Sequence, residues 1–233
     1  GDGKYDLQSV KNVSADDAKN NFYWQDYLGD LDYVRTAVAD ARKSFAAHNG
    51  DPDKLKLFIN DYNLESDWDD NAKLKSLIQW IKDWEADGTV IDGIGSQMHI
   101  TCYADPNTQK SKKDHIVKML ELMAESGKLC KISELDMGYV DAAGNPVTYD
   151  QMTEEQHKEM RDLYTFVLQK YFEIIPIDQQ YGITQWDATD SPKDSGWRPG
   201  EPTGLWDLNY LRKHTYAGFA AGLGAPEYWK EAK

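Results

Sequence analysis

The chain has 233 residues, 40% of them apolar, and a formal net charge of −14. That length suits one domain with its own core, and no apolar run reaches the roughly 20 residues of a membrane span, which argues against membrane insertion. An acidic surface repels phosphate backbones, so nucleic acid is excluded as a partner and a neutral or weakly charged one is expected.

Residues 30–47 carry Val34, Val38, Ala41 and Phe45 on one helical face. After the Asp51-Pro52 turn, residues 55–61 form a short apolar run ending in Asn60-Asp61-Tyr62-Asn63, which reads as a strand. Leu74, Leu77, Ile78 and Ile81 give a helix over 72–86, stopped at Gly88. The acidic group Asp67-Asp69-Asp70 reads as the first turn of that helix, where negative charge is favoured, rather than as metal ligands. Residues 89–98 read as a glycine-interrupted strand ending at Gln97-Met98-His99.

A helix follows from about 112 to 126, with Ser111 and Asp114 as its capping pair. Residues 129–135 form a third strand, leading into Glu134-Leu135-Asp136. Thr153 and Gln156 open a helix over about 154–174, residues 181–187 form a fourth strand ending in Trp186-Asp187, and a last helix is predicted from about 209 to 222. Between them, residues 188–206 hold three Pro, three Gly and two Trp: a long loop, of the kind that is usually functional.

Strands alternating with helices predict a parallel sheet, either doubly wound or closed as a barrel. Neither GxGxxG nor GxxxxGK[ST] occurs, so no nucleotide cofactor is expected; no HExxH occurs, so no metal is expected. Apolar strands ending in polar clusters favour a barrel, whose chemistry sits at the C-terminal strand ends. Four strands make half of one. Cys102 and Cys130 fall at opposite ends of neighbouring strands, which predicts two free thiols. Eight Trp and 14 Tyr fit either a core or a groove of flat faces for sugar rings.

Several segments, taken together and in order, resemble glycoside hydrolase family 10 xylanases in the version found in gut Bacteroidetes: FYWQDYLG at 22–29, LFINDYNLE at 57–65, IDGIGSQMHI at 91–100, ISELDM at 132–137, and YGITQWDATDSP with GWRPGEPTGLWD across 181–207. The resemblance implies an α/β fold, the C-terminal half of a (β/α)8 TIM barrel spanning the whole chain, that cuts the β-1,4 backbone of xylan with retention. It implies Glu134 as nucleophile, with His99 and Asp136 holding it ionised and oriented, and it implies sugar contacts from Gln97, Asn63, Trp186, Trp197 and Arg198. Asn60 ranks below Asn63 in this reading.

The family's acid/base Glu lies in a WDVVNE-type motif that these residues do not contain. Either the chain is a fragment, or an inserted module precedes it in the gene. The expectation is that it is inactive alone, self-associates or pairs with the N-terminal half of the same barrel, and acts on xylan or xylo-oligosaccharides. Glu65 and Asp61 come from the wrong strand to replace the missing acid. A secreted, cell-surface or periplasmic location follows from the substrate and not from any signal in these residues. A β-1,4-glucanase on the same barrel, or a carbohydrate-binding piece without catalysis, remain the alternatives.

Overall fold

A computed structural model describes residues 8–230. Three helices come first: α1 (Ala15–Asn20), α2 (Gln25–Leu28) and α3 (Asp32–Ala47). Strands and helices then alternate through β1 (Phe58–Asp61), α4 (Ala72–Glu85), β2 (Gly93–Ser96), β3 (His99–Tyr103), α5 (Pro106–Glu125), β4 (Leu129–Val140), α6 (Glu154–Ile174), β5 (Gln180–Gln185) and α7 (His214–Gly222).

Every pairing between these strands is parallel. β2 and β3 are two pieces of one broken strand, because both pair with β4: Gly93–Ser96 against Leu129–Ile132, and His99–Tyr103 against Asp136–Val140. The break falls at Gln97-Met98, where Met98 takes a φ of 59°. The sheet therefore has four positions, in the order β1, β2/β3, β4, β5.

Along β4, Cys130 and Ile132 are fully buried, as is Ile94 on β2, and Tyr171 of α6 donates to the Cys130 carbonyl at 2.7 Å. The opposite face presents Phe58, Asn60 and Tyr181, and Tyr181 is 49% exposed. Phe58 and Tyr181 sit on the two outer strands, about 14 Å apart in a flat sheet, yet their ring centroids are 4.6 Å apart. The sheet curls so that its outer strands approach, as in half of a (β/α)8 barrel with helices on the outside.

The structure moves several predicted boundaries. α5 begins at Pro106, capped by Asp105, whose side chain accepts from Thr108 N–H; proline suits the first turn, where its missing N–H costs nothing. Ser111 instead donates to Asp67, and Asp114 pairs with Lys110. β4 runs on to Val140 because β3 supplies a second partner beyond the break. α7 begins at His214, since Asp207 turns the preceding segment by accepting from Asn209 and Leu211 N–H. Asp67 and Asp70 precede α4 and pair with Lys112, Lys75 and Lys118. Phe45, placed on the inner face of α3 by periodicity, is 39% exposed. The capping box of Thr153 and Gln156 is present as read. Cys102 pairs in register with Tyr139 and Cys130 with Ile94, and both are free and buried.

Among the described residues, no helix is long and apolar enough to cross a membrane, and no group of three metal-ligating side chains converges.

Candidate active site

The local backbone sets up the site. From Ser96↔Ile132 to His99↔Asp136, β3 advances three residues while β4 advances four. From Ile132↔Ile183 to Leu135↔Gln185, β4 advances three while β5 advances two. β4 thus carries one extra residue against both neighbours in the stretch Ser133-Glu134-Leu135. Such a bulge re-aims a side chain. The backbone here is pinned on both sides: Glu134 N–H donates to the Gln97 carbonyl at 3.1 Å, and Trp186 N–H donates to the Leu135 carbonyl at 3.0 Å.

The Glu134 carboxylate is gripped from two directions. Asn60 Nδ2 donates to Oε1 at 3.2 Å, and His99 Nε2 lies 3.3 Å from Oε2. Asn60 is itself oriented by Ser133, whose hydroxyl donates to its Oδ1 at 2.6 Å. The glycine opposite Asn60 has a reason: a Cβ on Gly95 would sit 2.3 Å from Asn60 Oδ1. Asn60 therefore reaches Glu134 only because β2 has glycine there.

His99 Nδ1 lies 3.1 Å from Asp136 Oδ2 without meeting hydrogen-bond geometry, so the contact is electrostatic and becomes an ion pair when the imidazole is protonated. Burial of the imidazole disfavours its charge, but Asp136 and Glu134 on its two sides outweigh that and raise its pKa. Asp136 is fully buried. Its Oδ2 accepts from Trp197 Nε1 at 2.8 Å, and its Oδ1 accepts from Arg198 Nη1 at 2.8 Å. The His99 ring meets Trp197 edge-on at 4.6 Å between centroids and Trp186 at 5.9 Å. Both indoles remain open to solvent, at 52% for Trp186 and 41% for Trp197.

The long loop is held by a buried pair beneath it. Lys213 bonds Asp190 and donates to the Pro202 and Gly204 carbonyls at 2.9 and 3.1 Å. Burial pushes Asp190 up and Lys213 down, each toward its neutral form.

Of the predicted residues, Glu134, His99, Asp136, Trp186, Trp197 and Arg198 form one cluster. Gln97 joins it through its backbone, which links Asp61 and Glu134. Asn63, in a left-handed turn with φ 57°, lines a cavity of about 200 Å³ together with His99, Glu65, Trp68, Tyr103 and Lys112. Asn60, ranked below Asn63, is the asparagine that bonds Glu134. Arg198 faces inward, its guanidinium spent on Asp136, Glu201 and the Ile100 carbonyl. Asp61 is tied to Lys73 at 2.8 Å. Glu65 is 8% exposed, and burial raises its pKa. Sequence reasoning missed Ser133 and Glu201; the visible signals were Gly138 in ISELDMG, which makes room for Glu201, and Gly95 in GIGS, which makes room for Asn60, the partner of Ser133.

The profile of the family described as "Glycosyl hydrolase family 10" matches residues 8–221. The chain belongs to glycosyl hydrolase family 10. It is 29% identical over 230 residues to "Endo-beta-1,4-xylanase Xyn10C" of Cellvibrio japonicus, covering 92% of this chain and 36% of that protein. It is 30% identical over 217 residues to "Exoglucanase XynX" of Acetivibrio thermocellus, covering 91% and 17%. In structure it is similar to native xylanase10C from Cellvibrio japonicus, with a TM-score of 0.65, 26% identity, and coverage of 84% of this chain and 39% of that one. This family 10 chain thus spans well under half of these relatives.

Proposed function

We propose that the chain supplies the nucleophile side of a retaining endo-1,4-β-xylanase site. Glu134 attacks the anomeric carbon, His99 and Asn60 hold its carboxylate, and Asp136 holds His99. Trp186 and Trp197 wall the sugar on one side of the cleavage point, with Gln97 and Asn63 as further sugar contacts. The single observation that carries this reading is Glu134 itself: a carboxylate lifted on a strand bulge, gripped by an amide and an imidazole, beside two open indoles. The relatives named xylanases support xylan as the substrate, and xylanase10C has been solved as a mutant with xylopentaose.

Retaining hydrolysis needs a second carboxylic acid about 5–5.5 Å from the nucleophile. Three carboxylates close to the site are engaged elsewhere, which supports a second acid from outside these residues: Asp136 is paired with Arg198, Asp61 with Lys73, and Glu65 is buried. The acid comes from the N-terminal half of the barrel, and this chain alone is inactive. General acid help is worth about 10²–10⁴-fold. The open edge of β1, beside an apolar groove that includes Trp24, Leu28 and Tyr33, is where that half docks, or where a second copy associates in its absence. A polymeric plant substrate implies an extracellular or periplasmic location.

The test is release of reducing sugar from xylan by this chain, by the N-terminal half and by their mixture. Activity is expected only from the mixture; activity from this chain alone refutes the missing-acid argument. The exoglucanase among the relatives makes β-1,4-glucan the second substrate to assay, and faster turnover on soluble cellulose derivatives than on xylan would move the assignment there.

A further inference from the structure

The loop that carries Trp197 is fastened to the sheet by the residue that follows it. Arg198 Nη1 donates to Asp136 Oδ1 at 2.8 Å and to the Ile100 carbonyl at 3.0 Å, while Nε donates to Glu201 Oε2 at 3.0 Å. Arg198 takes a positive φ of 45°, an unfavourable conformation for a bulky residue that its surroundings must enforce. The pit that receives it exists because β4 has glycine at 138: a Cβ there would lie 2.0 Å from Arg198 Nη2 and 2.1 Å from Glu201 Oε2. Asp136 is thus shared. One oxygen takes Arg198; the other takes Trp197 Nε1 and faces His99 Nδ1 at 3.1 Å.

We propose that Arg198 is a positioning residue, which clamps Asp136 and thereby sets the Trp197 wall and the His99–Glu134 pair as one rigid unit. It touches neither the sugar nor the reacting atoms; it acts through Asp136. The proposal rests on the reading of Glu134 as nucleophile only for its kinetic consequence, and the clamp itself is readable without activity.

The test compares wild type with Arg198→Ala and Arg198→Lys in two measurements. The first is the titration of the His99 imidazole by NMR in this chain. Glu134 and Asp136 on β4, Glu65 after β1, Lys112 on α5, Asp187 after β5, and Arg198 with its partner Glu201 on the loop are charged groups around that ring. Releasing Asp136 from Arg198 should lower the His99 pKa toward that of a free imidazole, because the carboxylate no longer sits against Nδ1, and lysine should recover only part of that effect, because it restores charge without the two-pronged fork. The second is kcat and KM on xylo-oligosaccharides in the complete enzyme. A misplaced site of this kind costs up to about 10²-fold, so Arg198→Ala should lower kcat/KM by about tenfold to a hundredfold through kcat as well as KM.

A His99 titration that does not move overturns the proposal, and so does one that rises, which would mean that Asp136 stays in place and only the charge of Arg198 is lost. Loss confined to KM overturns it too, since that is the signature of a direct sugar contact. A wild-type complete enzyme that leaves xylan intact would count against the xylanase reading, while the NMR arm would still decide the clamp.

Discussion

Gly138→Ala isolates the packing under the site. The added methyl would lie 2.0 Å from Arg198 Nη2 and 2.1 Å from Glu201 Oε2. Ordinary contact needs about 3.5 Å, so the guanidinium and carboxylate must retreat by more than an ångström. Neither is a loose chain end. Arg198 is fixed by four acceptors across β3, β4 and the loop, and its side chain is 13% exposed. Overpacking alone costs about 1–3 kcal/mol; stripping the buried Asp136 of its cation raises the cost toward about 3–5 kcal/mol. Urea unfolding followed by tryptophan fluorescence should place Gly138→Ala about 2–4 kcal/mol below wild type, with an unchanged slope. In an Arg198→Ala background most of that penalty should vanish, because the guanidinium is gone and Glu201, no longer tied to it, can swing aside. A Gly138→Ala variant within about 0.5 kcal/mol of wild type refutes the packing argument.

Glu134→Gln in the complete enzyme should abolish hydrolysis while leaving oligosaccharide binding nearly intact, since a neutral amide cannot act as nucleophile; turnover within about tenfold of wild type sinks the assignment. Trp186→Ala and Trp197→Ala should each weaken productive sugar binding by about 1–3 kcal/mol, Trp197 the more because it also loses its bond to Asp136; unchanged kcat/KM in both would reduce them to packing. His99 has a folded-state pKa raised above that of the unfolded chain. Its contribution to stability is therefore full below about pH 6.5 and lost as pH rises through the folded value. The urea midpoint should fall across that window, and His99→Gln should flatten the fall; a midpoint that rises there refutes the sign. Thiol titration of the denatured, unreduced protein should find two free groups, because Cys130 opens β4 while Cys102 lies beside Tyr139 near its far end, about 30 Å away along the strand.

The sequence revealed what local chemistry controls. The Thr153 and Gln156 box starts α6 within one residue of its reading, because a cap needs no tertiary partner. The helical stripe of Leu74, Leu77 and Ile81 is buried as read. What stayed hidden depends on pairing between strands. No periodicity rule separates a strand that ends at Gln97 from one that breaks there and resumes at His99. The distinction rests on β4 being long enough to pair with both pieces. Asn60 and Asn63 look equivalent in NDYN; only the register Asn60↔Gly95, which clears a path over the glycine, makes Asn60 the one that reaches Glu134.

The same logic explains why the site residues cluster although they come from four neighbouring strand positions and a loop. The bulge in β4 turns Glu134 toward Asn60 and His99, and the strand break sets His99 level with Asp136. Asp136 then anchors the loop from below through Trp197 and Arg198. Each step uses an irregularity: an extra residue, a left-handed Met98, a left-handed Arg198, a missing Cβ at 95 and 138. Regular strands would alternate Ser133, Glu134 and Leu135 between core and cleft and leave the carboxylate facing one neighbour. The irregularities cost stability locally and persist because the surrounding hydrogen bonds over-determine them. That is the expected mark of a site shaped for chemistry rather than for folding, and it places the constraint in the same residues that carry the family resemblance.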